Sequence, residues 1–299
     1  MKEKTKLLLL FYFFVFFSAF GQDNDSLFSR MHGISNSGID FFNVDGMELT
    51  SQKINVEFTT KNIAKKFNQF KIKEKELTTT DSTLGFENFY VFKFTEEPKG
   101  IFNNFSYYFT ESDDKKLIGI TIGSVNKTDK ELERQFVKLI KNNEIPKSIY
   151  DSLQIDSINF AGRKIPLGSS CRWMEINNVQ CSYYGQMNWS VHKSFEDASL
   201  SVNNQYKVIK AKKGGKVVSD TTVTVVFEGA EAKAKKIVYD FTGVTSVLVG
   251  MSGGKTLTVY FVAAPVRNNF VSCVMSFWNN DQINPSGLTP LLEQVMKIK

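Results

Sequence analysis

Polar and apolar positions alternate from Lys53 to Phe58, with Ile54, Val56 and Phe58 on one face, the period of a half-buried strand. The period then changes. Ile63, Ala64, Phe67 and Phe70 recur at helical spacing between Asn62 and Phe70. Four further strands are predicted over Phe70 to Leu77, Phe86 to Phe94, Ile101 to Phe109 and Lys116 to Gly123. Thr128 and Glu131 form a capping box. The helix they open carries the stripe Leu132, Phe136, Leu139 and Ile140 and stops near Asn142-Asn143, before Pro146. Residues 22–50 are polar and contain Gly33, Gly38 and Gly46. They read as an irregular lead-in with one short strand at Ile39 to Val44.

After a connector at residues 146–160, strands are predicted over Arg172 to Ile176 and Val179 to His192. Ser194 caps a helix whose face is Phe195, Ala198, Val202, Tyr206 and Ile209, ended by Gly214-Gly215. Strands follow over Val217 to Phe227, Ala234 to Thr242, Thr245 to Val249, Thr256 to Ala263 and Phe270 to Trp278, with short connections that suggest hairpins. Thr289-Pro290 opens a last helix with Leu291, Leu292, Val295 and Met296 on its face. The expected fold class is α+β: antiparallel sheets packed with helices. Two similar β-α-β(4-5)-α halves, residues 51–145 and 161–299, form an α-β-α sandwich-like arrangement, and the shared order suggests an internal duplication.

The second half resembles the PsbP/Mog1-like domains. The resemblance lies in the helix ending at Gly214-Gly215, in Val223 to Ala230 (V-T-V-V-F-E-G-A), in Lys236 to Asp240 (K-I-V-Y-D) and in the closing helix. It implies a three-layer fold that acts by binding proteins in assembly or chaperoning, and it supplies no catalytic residue.

The amino terminus changes the picture of where the protein works. Three lysines lie within Met1 to Lys6, an apolar run follows from Leu7 to Phe17, and Ser18-Ala19-Phe20-Gly21 offers small residues before Gln22. That is the anatomy of a secretory signal peptide, residues 1–21, cut between Gly21 and Gln22. The apolar run is about half the ~20 residues that span a bilayer. The expectation is an exported bacterial protein, periplasmic or extracellular, with no transmembrane segment in its mature form. Without residues 1–21 the chain carries 34 basic and 30 acidic side chains, spread evenly, which gives no case for nucleic acid.

Export permits disulfides, and the three cysteines, Cys171, Cys181 and Cys273, allow at most one within the chain. A two-residue turn at Asn177-Asn178 would set Cys181 opposite Met174 and leave Cys171 about 10 Å along the strand. That geometry argues against the Cys171–Cys181 pair and leaves three reduced, buried cysteines open as an alternative.

Catalytic motifs are thin. Gly250 to Gly254 spells G-x-S-x-G, but the alternating run Lys255 to Tyr260 follows it where a nucleophile elbow needs a helix. His32 and His192 are the only histidines, and no C-x-x-C or H-E-x-x-H occurs, so no catalytic residue, metal site or cofactor is expected. One strand face offers hydrogen-bonding groups for a polar ligand or a partner's backbone: Tyr184, Gln186, Asn188, Ser190 and His192. Tyr183, Met187, Trp189 and Val191 point the other way, to the core. Asp-Ser or Asp-Thr followed by an aliphatic residue or threonine recurs at Ser26, Ser82, Ser152, Ser157 and Thr221, which resembles an acceptor pattern for O-glycosylation. Export without catalytic motifs favours a non-enzymatic module that binds an envelope protein and assists assembly or stability of its complex. An envelope hydrolase acting on glycan or lipid and a periplasmic small-ligand carrier stay open as alternatives.

Overall fold

A computed structural model describes residues 24–242 and 254–299. The leader, the Gly21–Gln22 junction, the strand expected over 245–249 and most of the G-x-S-x-G motif lie outside the described residues. Two dipeptides able to take positive φ start the first sheet. Ser37-Gly38 and Asp45-Gly46 have φ of 52°, 79°, 51° and 78°, the paired left-handed conformations of a tight hairpin turn. They fold the chain into β1 (His32–Asn36), β2 (Ile39–Val44) and β3 (Met47–Glu57). From His32 on, the stretch expected as an irregular lead-in is therefore sheet, with Phe42 and Val44 wholly buried.

Helix α1 (Thr60–Lys66) is capped by the Thr59 side chain, which accepts from the Asn62 N–H. Short 3-10 turns at Asn68–Phe70 and Glu74–Glu76 stand where a strand was expected over 70–77. Strands β4 (Asn88–Glu96), β5 (Phe102–Glu111) and β6 (Lys116–Val125) form a meander that joins β3, and the two-residue β7 (Tyr150–Asp151) runs parallel to β1. The sheet order is β4-β5-β6-β3-β2-β1-β7. Helix α2 (Lys130–Lys141) starts one residue later than its capping box suggests: Asp129, not Thr128, accepts from the Leu132 N–H. Ile63 and Phe67 of α1 pack with Tyr107, Phe109 and Leu117 on one face of this sheet. Phe136 and Val137 of α2 pack with Phe42, Tyr108 and Ile120 on the other.

The second sheet comprises β10 (Cys171–Glu175), β11 (Asn178–Cys181), β12 (Gly185–His192), β13 (Gly215–Phe227), β14 (Ala230–Phe241), β15 (Thr256–Val266), β16 (Asn269–Trp278) and β17 (Met296–Ile298). Its order is β10-β11-β12-β16-β15-β14-β13-β17. Helix α3 (Phe195–Ala211), capped by Ser194 as expected, lays Val202, Tyr206 and Ile209 on Ile237, Tyr239 and Phe261. The opposite face, with Met187, Trp189 and Tyr260, is covered by the ribbon β8 (Ser157–Phe160) and β9 (Arg163–Pro166) and by the single-turn helix α4 (Pro290–Glu293).

The expected α+β sandwich of two β-α-β(4-5)-α halves is corrected on two counts. Three strands (β1–β3), not one, precede α1 in the first half, and five (β8–β12) precede α3 in the second, so the halves do not share one order. The molecule is mostly antiparallel β, with helices laid singly on the sheets; α1 has 7 residues and α4 only 4, too little to form layers. The physical reason lies in the turns. The Ser-Gly and Asp-Gly pairs turn polar-looking segments into hairpins whose alternate residues reach the core.

One buried carboxylate ties the ribbon to the second sheet. Glu228, in the turn between β13 and β14, has a side chain 4% exposed and accepts from Arg163 Nη2 at 2.5 Å and Arg267 Nη1 at 2.7 Å. Arg267 also donates to the carbonyls of Phe160 and Ala161, at 2.5 and 2.6 Å, closing the β8–β9 turn.

The cysteines depart from expectation as well. Cys171 and Cys181 form a disulfide and Cys273 is free and buried. The hairpin turns at Ile176-Asn177, one residue earlier than assumed, and a register shift between Trp173 and Glu175 absorbs another residue, so Cys171 faces Cys181 directly. The bond closes a sequence separation of 10 residues. Loop-closure entropy for so short a loop is worth about 2–3 kcal/mol. The Cys171→Ala/Cys181→Ala variant is expected to lose that much in urea unfolding relative to the oxidised protein. Burial pushes the Cys273 thiol well above its ordinary value, with Glu228 adding to the shift. Native protein should therefore leave Cys273 unlabelled by a maleimide and react with one equivalent only once unfolded.

Candidate binding surface

Strand β4 sets the most exposed apolar feature of the first sheet. Its residues Phe89 to Phe94 (F-Y-V-F-K-F) are apolar on both faces. One face, with Phe89 and Val91, joins the core under α1. On the other, Tyr90 is covered by α2, but Phe92 and Phe94 lie past the helix and stay in solvent at 42% and 61% exposure. Register places Glu96 opposite Phe102 on β5, so Phe102, 41% exposed, completes the cluster. The ring centroids of Phe92 and Phe94 are 6.4 Å apart and those of Phe94 and Phe102 6.3 Å.

The base of this cluster is cross-linked by hydrogen bonds. Lys130 of α2 bonds the Tyr90 hydroxyl, Ser106 Oγ at 2.9 Å and the buried Glu133 carboxylate at 2.6 Å, and its ammonium lies 5.5 Å from the Phe92 ring centroid. Tyr108 donates to Glu133 at 2.9 Å, and burial with the Glu133 charge pushes its phenol pKa up. At the start of β4, Asn88 bonds the backbone of Asp81 in both directions. Burial alone would raise the Asp81 pKa, but hydrogen bonds from Arg134 and Thr83 outweigh it and hold the carboxyl below its ordinary range.

The aromatic cluster adjoins the junction of the two halves. The Phe102 N–H donates to Asn126 Oδ1 at 2.7 Å, and Asn126 Nδ2 donates to Asn204 of α3 at 2.9 Å. The junction is polar and continuous. The Asp45 N–H donates to the Val191 carbonyl at 3.1 Å, Asp45 accepts from Arg30 at 2.8 Å and from the Lys193 N–H at 2.9 Å, and the pairs Lys193–Asp129 and Lys127–Asp197 close at 2.8 and 2.5 Å. A cleft of about 340 Å³ opens beside it, walled by Asn43, Glu48, Asn188, Ser190 and Asn204, with the exposed aliphatic side chains Val125, Leu200 and Val208 also in its lining. The cleft walls and the nearby Glu175 carboxylate raise the Glu48 pKa, although its side chain still reaches solvent.

The strand face singled out from sequence is divided among different surroundings. Asn188 and Ser190 do line the cleft. His192 is 1% exposed, with Nε2 on Ser272 Oγ at 2.8 Å, and it lies against Gly46 of the first half. Gln186 donates to Asn178 at 2.8 Å. Tyr184 precedes β12 and sits on a separate shallow surface with Cys171, Cys181 and Leu291. Met187, Trp189 and Val191 reach the core as expected, whereas Tyr183, at a φ of 65°, turns outward and is 64% exposed. Of the serine and threonine positions, Ser26, Ser82, Ser152 and Thr221 are exposed, while Ser157 is half-buried and donates to Asp156 at 2.7 Å. Sequence reasoning assigned Phe92, Phe94 and Phe102 to ordinary strands. The signal available was F-Y-V-F-K-F itself, since apolar residues on both faces of a strand require cover on both.

Among the described residues no helix is long and apolar enough to cross a membrane, and no group of three or more His, Cys, Asp or Glu could hold a metal ion. No family model matches the chain, and no curated protein matches it. Solved structures that align with it include the immunity protein TplEi of the type VI secretion system (T6SS) from Pseudomonas aeruginosa, at 7% identity over 90% of this chain and 97% of that one, with a TM-score of 0.22. The Tle4–Tli4 complex aligns at 6% identity over 88% and 90%, with a TM-score of 0.22. The di-domain ARO/CYC StfQ of the steffimycin biosynthetic pathway aligns at 9% identity over 85% and 74%, with a TM-score of 0.17. At TM-scores this low the alignments carry no argument about fold or function.

Proposed function

We propose that the protein is an exported, non-enzymatic protein-binding module that assists assembly or stability of an envelope complex. The observation that carries this reading is the Phe92–Phe94–Phe102 cluster, three adjacent exposed aromatic rings on the first sheet beside the junction of the halves. Scattered exposed apolar residues are ordinary, but a contiguous aromatic patch marks a surface built to be covered. The Cys171–Cys181 disulfide fits an oxidising compartment.

The test is a photo-crosslinking amino acid at position 94 of the full protein expressed in its native envelope, with position 218 as control. Val218 is 51% exposed on the second sheet. A discrete adduct with one envelope protein at 94 and none at 218 is expected. Equal, diffuse labelling at both positions would sink the reading.

A further inference from the structure

We infer that the outer edge of β4 from Phe92 to Glu96 receives an extended segment of a protein partner, which adds to the first sheet as another strand. The inference rests on the protein-binding reading above and names its mode.

Backbone geometry specifies the occupant. The Tyr90 N–H points away from β5 and donates to the Thr79 carbonyl at 2.8 Å. In an antiparallel pair alternate residues face alternate sides, so Phe92, Phe94 and Glu96 also turn their N–H and C=O groups outward. At the far end the Asn126 N–H donates to the Phe102 carbonyl on the β6 side, which fixes the same phase across the Glu96–Phe102 pair. Among the described residues no backbone bond reaches the outward groups of Phe92, Phe94 or Glu96. The chain thus supplies one rung of an outer ladder at Tyr90 and stops. An extended peptide continues that ladder, and a helix cannot, because its own backbone groups are already spent.

The other edges of the two large sheets are guarded. β7 has 2 residues and β17 has 3. β10 carries a register shift and the disulfide. β13 is unpaired on its outer side before Thr224, but a register shift interrupts it between Val217 and Ser219, and its exposed side chains there include Lys216, Asp220, Thr221 and Thr222. Short edges, bulges and charges are how sheets avoid unwanted pairing. β4 has 9 residues, with no register shift against β5. Its one lysine before Glu96, Lys93, is drawn away to the carbonyls of Phe70 and Lys71 on the α1 face. Phe92 and Phe94 flank the open groups on the other face, where every second side chain of an added strand would meet a ring.

The experiment selects phage-displayed random dodecapeptides on the full mature protein and measures binding of the chosen peptides by fluorescence anisotropy and by amide hydrogen exchange. Three results are expected. The peptides share alternating apolar positions. They protect the Phe92 and Phe94 amides, which exchange fast in the free protein. They lose about tenfold or more in affinity for Phe94→Pro, which removes an outward N–H without touching the β4–β5 ladder. Retained protection of the Val91 and Lys93 amides shows that this variant is folded, and Phe94→Ala separates loss of the ring from loss of the N–H. Peptides that bind Phe94→Pro and Phe94→Ala alike, or leave the two amides unprotected, overturn strand addition. The protein-binding reading survives that outcome if the position-94 adduct forms and falls if it does not. Concentration-dependent protection of the same amides without peptide would assign the edge to a second copy of the chain and overturn the proposed partner.

Discussion

Glu228→Ala lowers the unfolding free energy by about 1.5–3 kcal/mol, the worth of charge-assisted hydrogen bonds lost at a buried carboxylate whose arginine partners, 37% and 36% exposed, keep part of their hydration. Two guanidinium groups, Arg163 and Arg267, converge on this carboxylate, whose side chain is 4% exposed. Without it two cations face each other at the base of the β8–β9 ribbon. Arg267 also holds the carbonyls of Phe160 and Ala161, so its displacement loosens the cover over the second core, including the wholly buried Phe160 that packs against Trp189. Urea unfolding measures the loss, and limited proteolysis should cut first near Ala161-Gly162. Glu228→Gln keeps the shape and the acceptor oxygen but not the charge, and it should fall between wild type and alanine. An unchanged midpoint in the alanine variant would show that the arginines find other partners and that the triad is not what docks the ribbon.

Acid should weaken the protein through His192. Burial lowers its pKa from 6.5 to about 4; Asp45 and Asp197 pull it up and Lys127 pushes it down, and burial prevails. The folded state therefore prefers the neutral ring, and its Nδ1 has no hydrogen-bond partner to hold a second proton. Between pH 6.5 and about 4 the unfolded chain binds a proton that the folded chain refuses. Stability from this group is complete above that window and is lost as pH falls through it, by about 3 kcal/mol in all. Because the ring lies against Gly46 of the first half, the loss falls on the junction. Unfolding of wild type and His192→Asn at pH 7 and pH 4 isolates the effect, with the variant's pH dependence flatter by about 3 kcal/mol. A ring titrating near 6.5 by NMR would contradict it.

Individual elements are legible along the chain, although the fold class is not. The helix stripe of Leu132, Phe136 and Leu139, the Ser194 cap, and the alternation of Met187, Trp189 and Val191 into the core each appear in the structure where sequence places them. Of the first three strands, only β2 shows in the apolar pattern; polar spacing hides β1 and the start of β3, whose turns at Ser37-Gly38 and Asp45-Gly46 carry no apolar periodicity. The Cys171–Cys181 bond was not legible, because a one-residue change of turn and a register shift decide which residue faces which. The binding surface was half legible. F-Y-V-F-K-F shows two apolar faces, and only the end of α2 decides which rings it leaves uncovered.

The sequence by itself determined the local chemistry: where helices can be capped, where positive φ is tolerated, and which strand residues share a face, since all of these depend on neighbours a few positions apart. Tertiary structure alone decided which face is covered, which edge is left open at Phe92 to Glu96, and that Asp45 meets Lys193 and Glu228 meets Arg163 and Arg267. Those outcomes depend on contacts between residues far apart in the chain, and loop closure brings them together without leaving a periodic trace in the sequence.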